Sequence, residues 1–309
     1  MNEVRVAVVG VGHLGQHHAR LLAEMPGVRF VGLVDASDAR AAEIAGRLGA
    51  RVFPDVASLV GAVDAVTVAV PTDAHVAVAA PLLERGIATL VEKPITPTLA
   101  SATALVALAA RHGALLAAGH TERFNPAFET ASAVIRAPQF IEVRRVSPFP
   151  ERSLDIDVVF DLMIHDLDLL LALVDAPVTQ VQATGAPVLT ARSDFATARL
   201  VFATGCVAHV TASRVSRERE RSWRVLQPNA FVHIDSAART VEMTHIDRSG
   251  ARPALRPETL TVREQEPLRA ELADFVEAVR ARRAPRVSGE AGRDAIALAT
   301  RVTDAIAQT

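Results

Sequence analysis

The stretch VRVAVVGVGHLGQHHARLLAEM, residues 4 to 25, constrains the fold more than any other. A short apolar run suited to a buried parallel strand ends in glycine, and a helix opens within a few residues. Gly10, Gly12 and Gly15 stand as G-x-G-x-x-G across that junction. Such a turn lets a pyrophosphate approach the backbone, and the N–H groups at the helix start hold it. VRFVGLVD follows as a second strand and ends at Asp35. A carboxylate there hydrogen-bonds the adenosine ribose and repels a 2′-phosphate, so the pattern predicts NAD in preference to NADP. Arg40 lies close enough in sequence to soften that exclusion, and it is expected to point to solvent.

Strand and helix keep alternating through about residue 120. SDARAAEIAGRLG, DAHVAVAAPLLERG and TLASATALVALAARHG read as helices, and DAVTVAV, ATLVEKP and ALLAAGHT as strands. The class is α/β: an N-terminal Rossmann domain over 1–120, with a doubly wound parallel sheet. The pattern then changes. A helix over NPAFETASAVIRA and a strand over FIEVRRV lead to DIDVVFDLMIHDLDLLLALVD, which reads as one apolar helix. TQVQATG, ATARLVFA, CVAHVTASRV, AFVHIDS, RTVEMTHI and ETLTVREQ are strand-like runs separated by turn residues. Residues 121–309 are therefore expected to form a C-terminal α/β domain on a large, mostly antiparallel sheet, which should supply the other half of the site. Two helices close the chain and could pack back on the first domain. Leu268, Leu272, Phe275, Val276 and Val279 share one face of the first of them.

A formal net charge of −2 with no large basic block argues against a nucleic-acid or membrane surface. The segment RVSRERERSWR, 214 to 224, alternates with glutamate and reads as a solvated strand end or loop, able to meet a phosphorylated small molecule. Cys206 is the only cysteine, which excludes an internal disulfide and a cysteine zinc site. No secretory start or span of ~20 lipid-facing residues is visible, so a soluble, cytoplasmic protein is expected. His13, His17 and His18 have no fourth ligand in view and predict no metal. His13 is expected at the phosphate turn and the other two on the helix surface.

The chain holds 33 lysines and arginines, and Lys93 is its one lysine. It falls in LVEKPITP at the carboxyl end of a parallel strand, where ligands of such sheets bind. An amine is a compact, rotatable donor with a movable pKa, which arginine is not. Pro94 forces an extended exit. Pro71, Thr72 and His75 follow the preceding strand and should line the same crevice. Cofactor contacts are thus expected from Gly10, Gly12, His13, Leu14, Gly15, Asp35, Pro71, Thr72, His75, Glu92 and Lys93. In DLMIHDLD, Asp161 and His165 lie four apart on one helix face, with Asp166 and Asp168 on others. An imidazole with an ordinary pKa near ~6.5 can exchange a proton at neutral pH. Lys93, His165 and Asp161 form the candidate catalytic group.

The glycine turn, E-K-P at Glu92 to Pro94 and D-x-x-x-H-D at 161 to 166 resemble the Gfo/Idh/MocA family of NAD(P)-dependent oxidoreductases. That resemblance covers the whole chain. It implies hydride transfer at a carbinol carbon of a sugar, cyclitol or related compound, with Lys93 and His165 flanking the reacting hydroxyl and Asp161 beside them. It also implies a homodimer or homotetramer formed through the open sheet face. GHTERFNPAF, 119 to 128, and SRERERSWRVLQPNAFVHID are similar to a subgroup that oxidises the 3-hydroxyl of UDP-N-acetylglucosamine for a partner aminotransferase, some members of it in lipid A biosynthesis. Arg123 could grip a phosphate or carboxylate two-pronged, and Asn125 could bind sugar hydroxyls; Asp157 and His165 complete the substrate-binding candidates. Asn125 and Pro126 also suit a helix cap and its first residue. A dehydrogenase of a free sugar or cyclitol such as inositol, and an NAD-dependent glycoside hydrolase, compete with this reading.

Overall fold

The computed structural model describes residues 3–149, 156–250 and 252–308. The chain divides into two compact units. One runs to Thr121 and takes in Leu268–Asp294; the other comprises Glu122–Pro267 and the residues from Ala295.

The first unit follows the period switching of its sequence. Its strands are β1 (Val4–Val9), β2 (Val28–Val34), β3 (Arg51–Val52), β4 (Ala65–Val68), β5 (Ala88–Glu92) and β6 (Leu116–Gly119). Its helices are α1 (Gly15–Glu24), α2 (Asp38–Leu48), α3 (His75–Leu83) and α4 (Leu99–His112). The strands pair in parallel in the order β3-β2-β1-β4-β5-β6. Strand order thus reverses beside β1, the crevice position for ligands in open α/β sheets. The two residues of β3 escape a reading by apolar runs because both are exposed. Val6 and Val8 of β1, Leu21 and Leu22 of α1 and Ile44 of α2 share one buried cluster with Leu272, Phe275 and Val276. The last three belong to α7 (Pro267–Ala281), so a late helix completes the core of this unit.

The second unit is built on an eight-stranded sheet. Its strands are β7 (Phe140–Val146), β8 (Val178–Ala186), β9 (Phe195–Phe202), β10 (Val207–Ser213), β11 (Glu220–Gln227), β12 (Ala230–Asp235), β13 (Thr240–Asp247) and β14 (Ala254–Leu260). The order is β14-β13-β12-β11-β7-β10-β9-β8, antiparallel except for the β10–β7 pair. α5 (Pro126–Ser132) packs on β12 and β13. The expected long helix is two segments, a π-helical turn Val159–Met163 that packs on β10 and α6 (Ile164–Val174). Residue 155 lies outside the described residues. α8 (Gly289–Ala307) is the final helix.

Two strand readings change. The segment expected as a strand end or loop contains the first half of β11, a strand whose Trp223 and Val225 are buried while Arg224 is exposed. β14 begins four residues before the expected strand and includes Pro257, tolerated because β14 is an edge.

Candidate active site

The glycine turn is tight below and open above. Gly10 has φ +84°, and a Cβ there would meet the Ala69 backbone at 2.8 Å. A Cβ on Gly15 would fall 1.8 Å from the Gly10 carbonyl oxygen, so α1 can start here only on glycine. A Cβ on Gly12 would meet nothing within 4 Å. α1 has no side-chain cap, and in its first turn the Gln16 and His17 N–H groups bond back to the Gly12 and Leu14 carbonyls at 3.3 and 2.9 Å. Asp35 is fixed at the end of β2: one oxygen accepts the Val11 N–H at 2.7 Å and the other the Ser37 N–H at 2.9 Å. These residues fit a dinucleotide. His13 and Leu14 are exposed at the turn.

Two expectations fail around it. Arg40 does not point to solvent: Nε donates to the Val11 carbonyl at 3.0 Å, and Nη2 to Gln16 Oε1 at 2.9 Å. The turn offers acceptors that a long guanidinium can reach without leaving water entirely. His17 is exposed, but His18 is fully buried, because Gly15, His18, Ala19 and Leu22 form the inward face of α1. His18 Nε2 lies 3.0 Å from Glu92 Oε1, at ion-pair distance without hydrogen-bond alignment.

Lys93 follows β5 directly and is half-buried, and its peptide to Pro94 is cis. Glu92 is buried: Oε2 accepts the Lys93 N–H at 3.3 Å, and Gly119 leaves the space its carboxylate fills. His75 is also withdrawn. Its ring nitrogens lie 3.0 Å from the Pro94 carbonyl and 2.9 Å from that of Val70, so it ties the end of β4 to the Lys93–Pro94 turn. Burial pushes this imidazole down, against the carbonyl oxygens, which favour its charged form. Glu92 and His75 thus make these side-chain contacts inside the fold, around the Lys93–Pro94 turn. Pro71 is exposed and Thr72 half-exposed just beyond β4.

In the second unit, Asp157 caps the helical segment. Its Oδ1 accepts the N–H groups of Val159 and Phe160 at 2.9 and 3.0 Å. Those bonds give Asp157 Oδ1 a capping role at the helix start. Asp161 lies in the π-helical turn and His165 in the first turn of α6, and both are half-buried. The wider turn alters their angular offset from the one a continuous α-helix gives; such turns recur at functional sites. Asp166 and Asp168 are buried, each against a bidentate guanidinium. Arg145 reaches Asp166 at 2.7 and 2.8 Å, and Arg123 reaches Asp168 at the same two distances. Burial pushes the Asp166 carboxyl up, opposed by Arg145; Arg145, facing Asp166 and Glu122, stays charged despite its own burial.

The Nε and Nη2 groups of Arg123 are therefore taken up by Asp168. Asn125 is likewise used inside the fold: Oδ1 caps α5 through the Ala127 N–H at 3.1 Å, and Nδ2 donates to the Ser236 carbonyl and Glu122. The motif E-R-F-N-P thus locks the helix that carries His165. Sequence reasoning missed Arg145 and the fully buried pair Arg214–Asp194. The available signal was two aspartates among the apolar residues of one helix, since buried carboxylates need partners.

Residues 4–120 match the oxidoreductase family with an NAD-binding Rossmann fold, and residues 138–233 match the GFO/IDH/MocA C-terminal domain. The chain belongs to the Gfo/Idh/MocA oxidoreductase family and carries its NAD-binding domain. It is 39% identical over 312 residues to UDP-N-acetylglucosamine 3-dehydrogenase of Acidithiobacillus ferrooxidans, covering 99% of this chain and 98% of that protein. The solved structure of that enzyme superposes with a TM-score of 0.92, over 99% and 98% of the two chains. The scyllo-inositol 2-dehydrogenase (NAD(+)) of Bacillus subtilis is 29% identical, over 70% of this chain and 68% of its own.

Proposed function

We propose that this enzyme oxidises the 3-hydroxyl of UDP-N-acetylglucosamine to a 3-keto sugar with NAD. The observation that carries the reading is the end-to-end similarity to the Acidithiobacillus dehydrogenase. Gly10, Gly12, His13, Leu14, Gly15 and Asp35 would hold the cofactor, with Pro71 and Thr72 at its reacting end. Bound NAD supplies the hydride acceptor. His165 takes the hydroxyl proton, supported by Asp161. Lys93 donates a hydrogen bond to the substrate oxygen and stabilises negative charge as it develops there. Residues up to 120 serve the cofactor, and those from 121 the substrate.

An unstable keto sugar suits a partner aminotransferase and a cell-envelope route such as lipid A. A cytoplasmic location accords with Cys206, buried with its thiol pushed up to about 11. A homodimer or homotetramer through the outer sheet face accords with Leu226 and Phe231 exposed there.

The deciding assay follows NADH formation with UDP-N-acetylglucosamine, free N-acetylglucosamine and inositols, with products identified by mass. Turnover confined to the UDP-sugar is expected. Turnover of an inositol alone would instead support the cyclitol reading, and sugar cleavage without net NADH the hydrolase.

A further inference from the structure

The arginines of 214–224 are not equivalent. Along β11, Trp223, Val225 and Gln227 are buried toward one sheet face, while Arg224 and Leu226 are exposed on the other. On that outer face Arg224 meets Glu142 at 3.1 Å, and Arg144 of β7 meets Glu220 at 3.0 Å. Arg214 is sealed against Asp194. Arg221 has the parity of Trp223, so it stands on the inner face, with Arg145 as its register partner on β7.

Its surroundings leave it short of acceptors. The Arg221 side chain is 40% exposed, and among the described residues its one polar contact is Glu122 Oε1 at 3.5 Å, the limit of a hydrogen bond. That carboxylate is shared. Arg145 Nη1 lies 3.6 Å from the same oxygen, and Asn125 Nδ2 donates to the other at 3.3 Å. Asp166 is committed to the fork of Arg145. A guanidinium has five donors, and here one long contact answers them. Burial, then the neighbouring charge of Arg145, hold the Arg221 guanidinium below its ordinary value, against Glu122 and Asp166, which favour its charged form. The residue is nonetheless linked to the helix that carries His165. Contacts run from Arg221 through Glu122 and Arg145 to Asp166, the neighbour of His165 in sequence.

We propose that Arg221 receives a phosphate oxygen of the substrate's diphosphate and is the residue that makes this enzyme prefer a nucleotide sugar to a free one. The proposal rests on the nucleotide-sugar reading above. A planar fork matches two oxygens of a phosphate, where an amine would offer a point charge. Binding energy drawn from the diphosphate acts at a distance from the reacting carbon and holds the sugar in place.

The test begins with the wild-type enzyme and NAD, assayed with UDP-N-acetylglucosamine. If it does not turn over the UDP-sugar, the functional reading falls and takes this proposal with it. If it does, Arg221→Met and Arg221→Lys are compared by calorimetry with UDP alone, by kinetics with the UDP-sugar, and by NAD titration. Arg221→Met should weaken UDP binding at least tenfold and raise KM far more than it lowers kcat, with NAD binding unchanged. Arg221→Lys keeps the charge, serves if the methionine variant misfolds, and should lose severalfold in UDP affinity. UDP affinity within twofold of wild type in either folded variant overturns the proposal while leaving the functional reading standing.

Discussion

A guanidinium at position 93 would keep the charge of the lysine and change its shape, reach and acid–base capacity. Lys93→Arg should therefore lower kcat on the order of 10²-fold or more, the usual cost of a missing oxyanion-type donor or base. His165→Ala should cost a similar factor. Steady-state kinetics check both, with NAD titration as the control, because the glycine turn and Asp35 are untouched. Near-normal turnover by Lys93→Arg would remove Lys93 from the chemistry. A second residue-scale outcome concerns cofactor choice. The Asp35 carboxylate is pinned beside the turn by two backbone N–H groups. NAD should bind at least about tenfold more tightly than NADP, a difference of ~1.4 kcal/mol. Asp35→Ser should narrow the gap; a wild type that prefers NADP would overturn the ribose assignment.

At the scale of elements, the loop between β8 and β9 holds more than itself. Asp194 Oδ2 accepts the N–H groups of Val188, Leu189 and Thr190, and Oδ1 takes Arg214 Nε at 2.7 Å. The neighbouring Ser193 carbonyl accepts the N–H of Val158, where the helical segment carrying Asp161 and His165 begins. Burial pushes the Asp194 carboxyl up, but the Thr190, Leu189 and Val188 amides and Arg214 outweigh it and hold it well below the usual carboxylate range. A folded-state pKa below the unfolded one stabilises fully above the unfolded value near ~3.9, and this contribution is lost as pH falls through the folded one. Asp194→Asn should cost about 3 kcal/mol in urea unfolding at pH 7, as for breaking a buried pair. The deficit relative to wild type should stay constant above about pH 5 and shrink on acidification through the carboxylate range. A deficit that ignores pH would mean that packing, not charge, holds the loop. This knot also marks where sequence reading stops. Glycine spacing, a strand-ending aspartate and E-K-P are local signals, and they located the parallel sheet and its turn. Arg123–Asp168 and Arg145–Asp166 join residues 45 and 21 apart, and no periodicity encodes which arginine meets which aspartate. β11 was illegible for a related reason: its outward charges resemble a solvated loop until Arg144 and Glu142 stand opposite them. The burial of His18 was readable from its place among Gly15, Ala19 and Leu22 on one helix face.

For the whole molecule, the two ends of the glycine motif should separate ligand binding from folding. NAD at a hundred times its Kd should raise stability by about 2.7 kcal/mol, since a ligand of the folded state alone shifts the equilibrium by mass action. Gly12→Ala adds a methyl group into open space. Thermal melts of this variant should match wild type without cofactor and lose the shift with it. Gly15→Ala drives a Cβ into the Gly10 carbonyl and should melt lower even without cofactor. Equal behaviour of the two would mean that the turn is not the phosphate cradle. The rest of the molecule's basic surface is guanidinium, which leaves Lys93 as the one side-chain amine in 309 residues. Reductive methylation with 13C-formaldehyde would thus add one side-chain resonance to a protein of 32.8 kDa, beside that of any terminal amine. Its movement with pH, cofactor and sugar would report from the proposed catalytic position with no mutation and no assignment problem.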